Sequence, residues 1–185
     1  MAKPPKIVGE HKKEFRVIPP PPQDMIVHPV DVSKGTFELY LTKTSKDKIL
    51  EHCNAFADQK LEVMGFLIGD VLRWKNRFFS LVKDVVSTDL KATNISVRFA
   101  KEGFEPLFEE LDGLNYDYLI VGWYHSHPGL GCFMSKKDIE TQKRTFNKPY
   151  HMALVVDPLK TEMKAYKLKD EGYVEKKFAV YLETG

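Results

Sequence analysis

The chain has 185 residues, of which 43% are hydrophobic and 29% charged, with a formal net charge of +2. That length suits one domain with a sizeable core, and the intermingled charges lack the basic stripe typical of a nucleic-acid binder. No apolar run approaches the roughly 18 residues that a membrane span needs, and no secretory signal follows the N-terminus. The two cysteines, Cys53 and Cys132, make no disulfide framework. We therefore expect a cytoplasmic protein without nucleic-acid or membrane partners.

The first 35 residues differ in composition from the rest of the chain. Met1 to Arg16 contain five basic and two acidic residues, and a run of prolines occupies positions 19–22. Such a run favours an extended, stiff backbone. We predict a basic, proline-rich N-terminal arm over residues 1–35 and one folded domain over residues 36–185. Met25 to Val30 is a candidate edge strand within the arm.

The first half of the domain predicts a helix and then a strand hairpin. Thr44 or Ser45 would cap a helix that runs to about Gln59, with Ile49 and Cys53 on its buried face. The elements expected after this helix are a buried strand at 61–69, a turn at 73–77, a returning strand at 78–86, and a short half-exposed strand at 95–99.

The second half continues the alternation of helices and strands. Phenylalanines and leucines at helical spacing predict a helix over 104–114, which we assign to the core. The elements expected after it are a strand at 118–124, a helix from 135 to about 148, and strands at 152–156, 162–168 and 174–182. This order predicts an α/β or α+β sandwich, in which helices flank a central mixed sheet.

Two histidines and a helix start point to a metal site. His125 and His127 are separated by one residue at a strand end, so both imidazoles face the same side. Ser135 and Asp138 are three residues apart, which makes them neighbours at a helix N-terminus. Two imidazole nitrogens and one carboxylate oxygen would satisfy a catalytic zinc ion that keeps a fourth position for water.

Two further residues would complete the chemistry of such a site. Glu62 lies within an apolar run, where burial would raise the pKa of its carboxyl group and suit it to act as a general base. The hydroxyl group of Ser135 would stabilise the oxyanion of a tetrahedral intermediate.

Each of these features has a plain structural alternative. Ser135 and Asp138 also form a good capping pattern, with a serine N-cap and an acid at the third helical position. Paired histidines at a strand end are usually solvated or hydrogen-bonded, and Glu62 would suit the exposed start of a strand. Cys132 suggests a cysteine nucleophile, although a small buried thiol is the commoner outcome. It is the occurrence of Glu62, the histidine pair, Ser135 and Asp138 together, at spacings that could form one site, that favours a metal site.

The same residues resemble the signature of the JAMM (MPN+) zinc isopeptidases. Glu62 is followed far downstream by His125-Ser126-His127-Pro128, then by seven residues, Ser135, two residues and Asp138. The segments 121–129 and 138–142 are most similar to the deubiquitinating subunit of the proteasome lid and its signalosome counterpart. The resemblance extends over about residues 37–182.

Membership of this family would imply a cytidine-deaminase-like sandwich that binds one zinc ion. His125, His127 and Asp138 would hold the zinc, Glu62 would act as general base and acid, and Ser135 would stabilise the oxyanion. The expected reaction hydrolyses the isopeptide bond between the C-terminus of ubiquitin, or a ubiquitin-like protein, and a substrate lysine. Expected partners are therefore ubiquitin-type conjugates, with a proteasome or unfoldase as a further candidate.

Substrate contacts are expected at Val97 and Phe133. Val97 lies in the segment that, in this family, pairs with the extended ubiquitin tail as an added strand, although an ordinary edge strand would have the same pattern. Phe133 stands where close relatives usually have tryptophan.

Two departures from lid-type members favour a minimal enzyme that is monomeric or weakly associating, such as an archaeal homologue. The segment after the strand at 152–158 leads directly into the next strand, without the family insertion, and we expect no helices after the domain. Two alternatives stay open at this stage: a hydrolase of another ubiquitin-like or sulfur-carrier conjugate, and a non-catalytic MPN scaffold.

Overall fold

A computed structural model of the chain describes residues 15–28, 37–87, 119–170 and 172–183. Within these ranges, nine strands form one mixed sheet and two α-helices pack on it. The predicted mixed α/β fold is thereby confirmed. The strand predicted at 95–99, which contains Val97, and the helix predicted over 104–114 lie outside the described residues.

The bounds of the elements are as follows. One turn of 3-10 helix covers Gln23–Met25, and the α-helices are α1 (Lys43–Ala55) and α2 (Lys136–Thr145). The strands are β1 (Ile26–His28), β2 (Leu39–Thr42), β3 (Met64–Trp74), β4 (Arg77–Ser87), β5 (Leu119–Ser126), β6 (Met152–Asp157), β7 (Glu162–Lys169), β8 (Gly172–Lys176) and β9 (Phe178–Tyr181). In the described part of the chain, neither α-helix is long and apolar enough to cross a membrane.

Strands β3 and β5 form the centre of the sheet and position the candidate site. The order across the sheet is β1-β9-β2-β4-β3-β5-β6-β7-β8. Because β3 and β5 are antiparallel, the first residue of β3 lies beside the end of β5, and Met64 pairs with His125. Strand β6 runs parallel to β5 on its other side. The ends of β5 and β6 therefore meet at the same edge as the start of β3.

The two α-helices cover opposite faces of the sheet. Strand β6 is buried throughout, and its side chains alternate between the two faces. Met152, Leu154 and Val156 belong to the apolar cluster that contains Ile49 and Cys53 of α1. On the other face, Ala153 and Val155 share a second cluster with Trp123, Met134 and Phe146, which lie on β5 and around α2. A strand buried on both faces explains the continuous apolar run in its sequence.

The sheet is curled, as the connection between its last two strands requires. Only Lys177 joins β8 to β9, yet these strands occupy distant positions in the sheet order. A single residue spans only about 3.3–3.6 Å, so the β8 edge must come close to β9 and its neighbour β2. Glu38, just before β2, binds Lys167 of β7 at 2.5 Å and Lys176 of β8 at 2.6 Å. These ion pairs hold the two sides of the curl together.

The hairpin of β3 and β4 turns within the predicted segment 73–77, but β3 covers Met64–Trp74 instead of 61–69, and the bounds of α1 differ as well. Lys75 and Asn76 form the two-residue turn with φ values of 45° and 62°, as expected for a tight hairpin. Helix α1 begins earlier than predicted, because its N-cap is Thr42 instead of Thr44 or Ser45, and the Thr42 hydroxyl accepts a hydrogen bond from the Ser45 amide. It ends at Ala55 instead of Gln59, since the next residues form a turn that closes with Lys60 at a φ of 52°.

The C-terminal strand predicted over 174–182 is two strands. Residues Gly172–Lys176 pair with β7, whereas Phe178–Tyr181 pair with β1 and β2. The change of partner at Lys177 breaks the strand, a feature that an alternation pattern does not reveal.

The described part of the predicted arm contacts the domain. The Phe15 ring packs edge-on against Phe78 at 4.9 Å, and Arg16 binds Asp70 at 2.7 Å. Strand β1 pairs with β9 at the edge of the sheet, where the candidate edge strand was predicted. The boundary near residue 35 falls outside the described residues and stays a prediction.

Candidate metal centre

Strand β5 and the residue that follows it present two histidines on the face that α2 covers. The imidazole of His125 stacks on the indole of Trp123 at 4.5 Å, with 17° between the ring planes. His127 lies just past the strand end, and its amide donates to the Val156 carbonyl at 2.8 Å. Ser126 points to the opposite face, where its hydroxyl accepts a hydrogen bond from the Val63 amide at 3.0 Å. The predicted division of these side chains between two faces is therefore correct.

The start of α2 brings a carboxylate to the histidines. Ser135 is the N-cap, and its hydroxyl accepts a hydrogen bond from the Asp138 amide at 3.2 Å. In return, the Ser135 amide donates to Asp138 Oδ2 at 2.7 Å. This reciprocal pair is a capping box. The capping interpretation thus holds, and it directs the Asp138 carboxylate towards β5.

Three potential metal ligands converge in a buried cluster. Oδ2 of Asp138 lies 3.4 Å from His125 Nε2 and 3.6 Å from His127 Nε2. Ligand atoms at 2.0–2.1 Å from a tetrahedral zinc ion are separated by about 3.3 Å. All three side chains are buried, and together they supply the two nitrogens and one oxygen typical of a catalytic zinc site. The residues present therefore fit zinc.

The charges of the cluster favour a cation. Burial alone would raise the pKa of Asp138, but His125, His127 and the Ser135 hydrogen bond hold it well below its ordinary value. Burial would lower the pKa of His127, whereas Asp138 and then Glu62 raise it. Two carboxylates thus face the imidazole of His127. Zinc binds the neutral form of imidazole, so a bound zinc ion would displace the proton of a charged histidine and would itself balance the negative charge of the carboxylates.

Glu62 reaches the cluster from the start of β3. It lies two residues before that strand, so its predicted placement within the strand is wrong. Its side chain is 15% exposed, and Oε1 lies 4.0 Å from His127 Nε2. The pairing of Met64 with His125 places it there. Glu62 therefore stands beside the ligand cluster with partial access to solvent.

Phe133 and Cys132 lie on the loop that leads from His127 to α2. The ring of Phe133 is 4.7 Å from that of His127, and 39% of the residue is exposed. The thiol of Cys132 is partly buried and donates to the Val155 carbonyl at 3.2 Å. Of the two predicted substrate contacts, Phe133 lies at the site and Val97 lies outside the described residues.

Sequence reasoning missed two residues that support the site. Gln142, buried on α2, accepts a hydrogen bond from the Trp123 indole and donates to the Phe146 carbonyl. Asp157, buried at the end of β6, accepts hydrogen bonds from the amides of Gly129 and Gly131. An acid that ends a fully apolar strand was the available signal for Asp157. No local pattern distinguishes Gln142 from a surface glutamine.

The match to a protein-family model agrees with this geometry. The model described as JAB1/Mov34/MPN/PAD-1 ubiquitin protease matches residues 39–147, more than half of the chain. The chain belongs to this family. The resemblance predicted from the spacing of histidines, serine and aspartate is thereby confirmed.

Known members of the JAB1/MPN family match most of the domain. COP9 signalosome complex subunit 5 of Debaryomyces hansenii is 39% identical over 120 residues, which cover 62% of this chain and 23% of that protein. Ubiquitin carboxyl-terminal hydrolase RPN11 of Saccharomyces cerevisiae is 32% identical over 142 residues, 72% of this chain and 44% of that protein. The chain thus spans less than half the length of these curated relatives.

A solved structure shares the fold of the domain. The solution structure of a protein from Desulfitobacterium hafniense aligns with a TM-score of 0.54 at 24% identity, covering 78% of this chain and 94% of that one. At this identity, the likeness concerns the fold alone.

Proposed function

We propose that this JAB1/MPN protein is a zinc-dependent isopeptidase that releases ubiquitin, or a ubiquitin-like protein, from substrate lysines. The observation that carries the proposal is the convergence of His125, His127 and Asp138 with Glu62 beside them. The yeast relative's name as a ubiquitin carboxyl-terminal hydrolase supports the same class of substrate. A link to a proteasome is part of the proposal, because relatives are proteasome subunits by name.

The residues of the site have distinct roles in this proposal. His125, His127 and Asp138 would hold the zinc ion. Zinc, when bound, would supply Lewis-acid chemistry and a water molecule acidic enough to react at neutral pH. Glu62 would accept a proton from the attacking water and transfer it to the departing lysine amine. Its partial exposure leaves it accessible to both.

Ser135 would assist through its hydroxyl group. That hydroxyl already accepts the amide of Asp138, which fixes its oxygen beside the cluster. Its proton is therefore available to donate to the oxyanion that develops on the scissile carbonyl. Capping and oxyanion stabilisation use different atoms of the same group, so the two roles are compatible.

Chelation of zinc tests the proposed reaction. A lysine-linked ubiquitin or ubiquitin-like conjugate should be cleaved by the full chain, and a zinc chelator should abolish cleavage until zinc is restored. The measurement is the appearance of free ubiquitin-like protein, together with zinc content by elemental analysis. Cleavage that survives complete zinc removal would rule out the metal mechanism. Stoichiometric zinc with no cleavage of any such conjugate would favour a non-catalytic MPN scaffold.

Glu62→Gln tests the proposed general base. The variant should keep zinc, because Glu62 is not among the three clustered ligands, but should lose about 10²- to 10⁴-fold in turnover. Glu51→Gln, an exposed position on α1 and the opposite face of the sheet, is the matched control and should retain full activity. A fully active Glu62→Gln variant would remove Glu62 from the mechanism.

A further inference from the structure

We propose that Asp157 is a positioning residue of the metal centre, which holds the loop 128–134 in the path that brings His127 and Asp138 together. The inference rests on the proposed zinc site. It concerns a residue that touches neither substrate nor metal, and acts through the backbone of the loop.

Asp157 is fully buried at the end of β6 and binds four backbone amides. Its Oδ1 accepts from Gly129 at 2.8 Å, Leu159 at 3.1 Å and Lys160 at 3.2 Å, whereas Oδ2 accepts from Gly131 at 2.6 Å. Hydrogen bonds to an ionised acceptor are about twice as strong as neutral ones. Burial would raise the pKa of this carboxyl group, but the four amide donors keep it below its ordinary value. One buried carboxylate thereby organises two separate turns.

The two glycines of the loop make such an anchor important, because glycine can adopt many backbone conformations. Gly129 and Gly131 adopt φ values of +82° and +87°. Glycine adopts positive and negative φ values about equally readily, so these two residues have no intrinsic preference for this conformation. Their amides converge on opposite oxygens of Asp157, so one side chain selects this conformation of both residues. Loss of the carboxylate would remove this restraint from both glycines.

The position of the anchored turn bears directly on the ligands. Gly129 is two residues from His127, whose amide is itself bound to the carbonyl of Val156, the residue before Asp157. Beyond Gly131, the loop leads into the capping box that orients Asp138. His127 and Asp138 are thus joined by the loop 128–134, which Asp157 holds near its middle. The 3.6 Å distance between their ligand atoms therefore depends on the conformation of this loop.

Asp157→Asn provides the test, because asparagine keeps the shape but presents an amide donor to one set of backbone N–H groups. We expect zinc affinity, measured by chelator competition, to weaken by about 10- to 100-fold, as for other residues that support metal ligands. Hydrogen exchange at the Gly129 and Gly131 amides should accelerate. Turnover at saturating zinc should fall more than KM rises, since the loop aligns reacting groups.

Asp84→Asn is the matched control. Asp84 also accepts a backbone amide, that of Val85 at 2.8 Å, and pairs with Lys48 at 2.7 Å. It lies on β4, away from the ligand cluster. Unchanged zinc affinity in Asp157→Asn, or equal weakening in Asp84→Asn, would overturn the positioning role.

A second pair of variants tests the same anchor if Asp157→Asn fails to fold. Gly131→Val should weaken zinc binding, because a β-branched residue disfavours the left-handed region of backbone conformation. Asparagine tolerates that region, so Gly131→Asn should bind zinc nearly normally. Equal zinc affinity in the two variants would overturn the role. Failure of the wild-type chain to bind zinc would instead contradict the proposed function. The experiment therefore distinguishes failure of the zinc site from failure of the positioning role of Asp157.

Discussion

At the scale of single residues, Asp138 shows how one side chain serves two purposes. Its Oδ2 atom accepts the Ser135 amide at 2.7 Å and also faces the imidazole nitrogens of His125 and His127. The helix cap therefore fixes the carboxylate in its rotamer and helps to keep it ionised. A capping signature and a ligand signature are not competing explanations here, because the cap orients the ligand.

Cys132 allows a residue-scale prediction about nucleophilic chemistry. Burial raises the pKa of its thiol to about 11, so almost no thiolate forms near neutral pH. Iodoacetamide at pH 7.5 should therefore modify Cys132 much more slowly than a free thiol. The rate is measured by mass spectrometry alongside conjugate cleavage, with Cys132→Ala as the control. Rapid alkylation with a matching loss of activity, together with an inactive Cys132→Ala variant, would restore the cysteine-nucleophile hypothesis.

At the scale of elements, the contact between α2 and β5 decides where the ligands meet. Gln142 accepts the indole N–H of Trp123 and donates to the Phe146 carbonyl at the helix end. Asp138 precedes Gln142 by about one helical turn, and His125 follows Trp123 by two residues on the same strand face. One buried amide side chain thus links helix and strand, and we expect it to set the register between them.

Gln142→Leu tests this register. The variant removes the acceptor of the buried Trp123 N–H and the donor to Phe146, so the free energy of unfolding should fall by about 1–3 kcal/mol. Urea denaturation measures the loss, and chelator competition should show weaker zinc binding as Asp138 shifts. Gln59→Leu, at an exposed position after α1, is the matched control and should change stability by less than about 0.5 kcal/mol. Comparable losses in the two variants would contradict the proposed contact.

At the scale of the whole molecule, the curl of the sheet brings opposite edges together. Glu38 before β2 pairs with Lys167 on β7 and Lys176 on β8, although these strands lie far apart in the sheet order. Its side chain is 22% exposed, so the ion pairs lie near the surface but are not fully solvated. The same curl allows a single residue to connect β8 and β9.

The pH dependence of stability tests the role of Glu38. Burial would raise the pKa of this carboxyl group, but the two lysines lower it below its ordinary value of 4.5. A depressed folded-state pKa stabilises the protein above the unfolded-state pKa, and this contribution disappears as pH falls through the folded-state value. Glu38→Gln should therefore be less stable than wild type at pH 7, with the difference shrinking below about pH 4.5.

Urea denaturation at several pH values measures this difference. Glu51→Gln, at an exposed position on α1, is the control and should follow the wild-type profile throughout. A stability difference for Glu38→Gln that stays constant between pH 7 and pH 3 would show that the ion pairs do not cause it.

Local patterns in the sequence determined the pieces of this protein. The turn predicted within 73–77, the two histidines on one strand face, and the cap formed by Ser135 and Asp138 all follow from interactions between residues close along the chain. These interactions depend on backbone geometry of short range, so spacing alone is sufficient to predict them. The family signature adds Glu62 to the same set, but does not say where it lies.

Tertiary structure alone decided how those pieces meet. The antiparallel pairing of β3 with β5 sets Glu62 beside His127, and the parallel pairing of β6 with β5 sets Asp157 beneath the loop. The curl of the sheet likewise brings Glu38 to two distant lysines. Strand register and sheet order depend on contacts between residues far apart in the sequence, which no local period encodes.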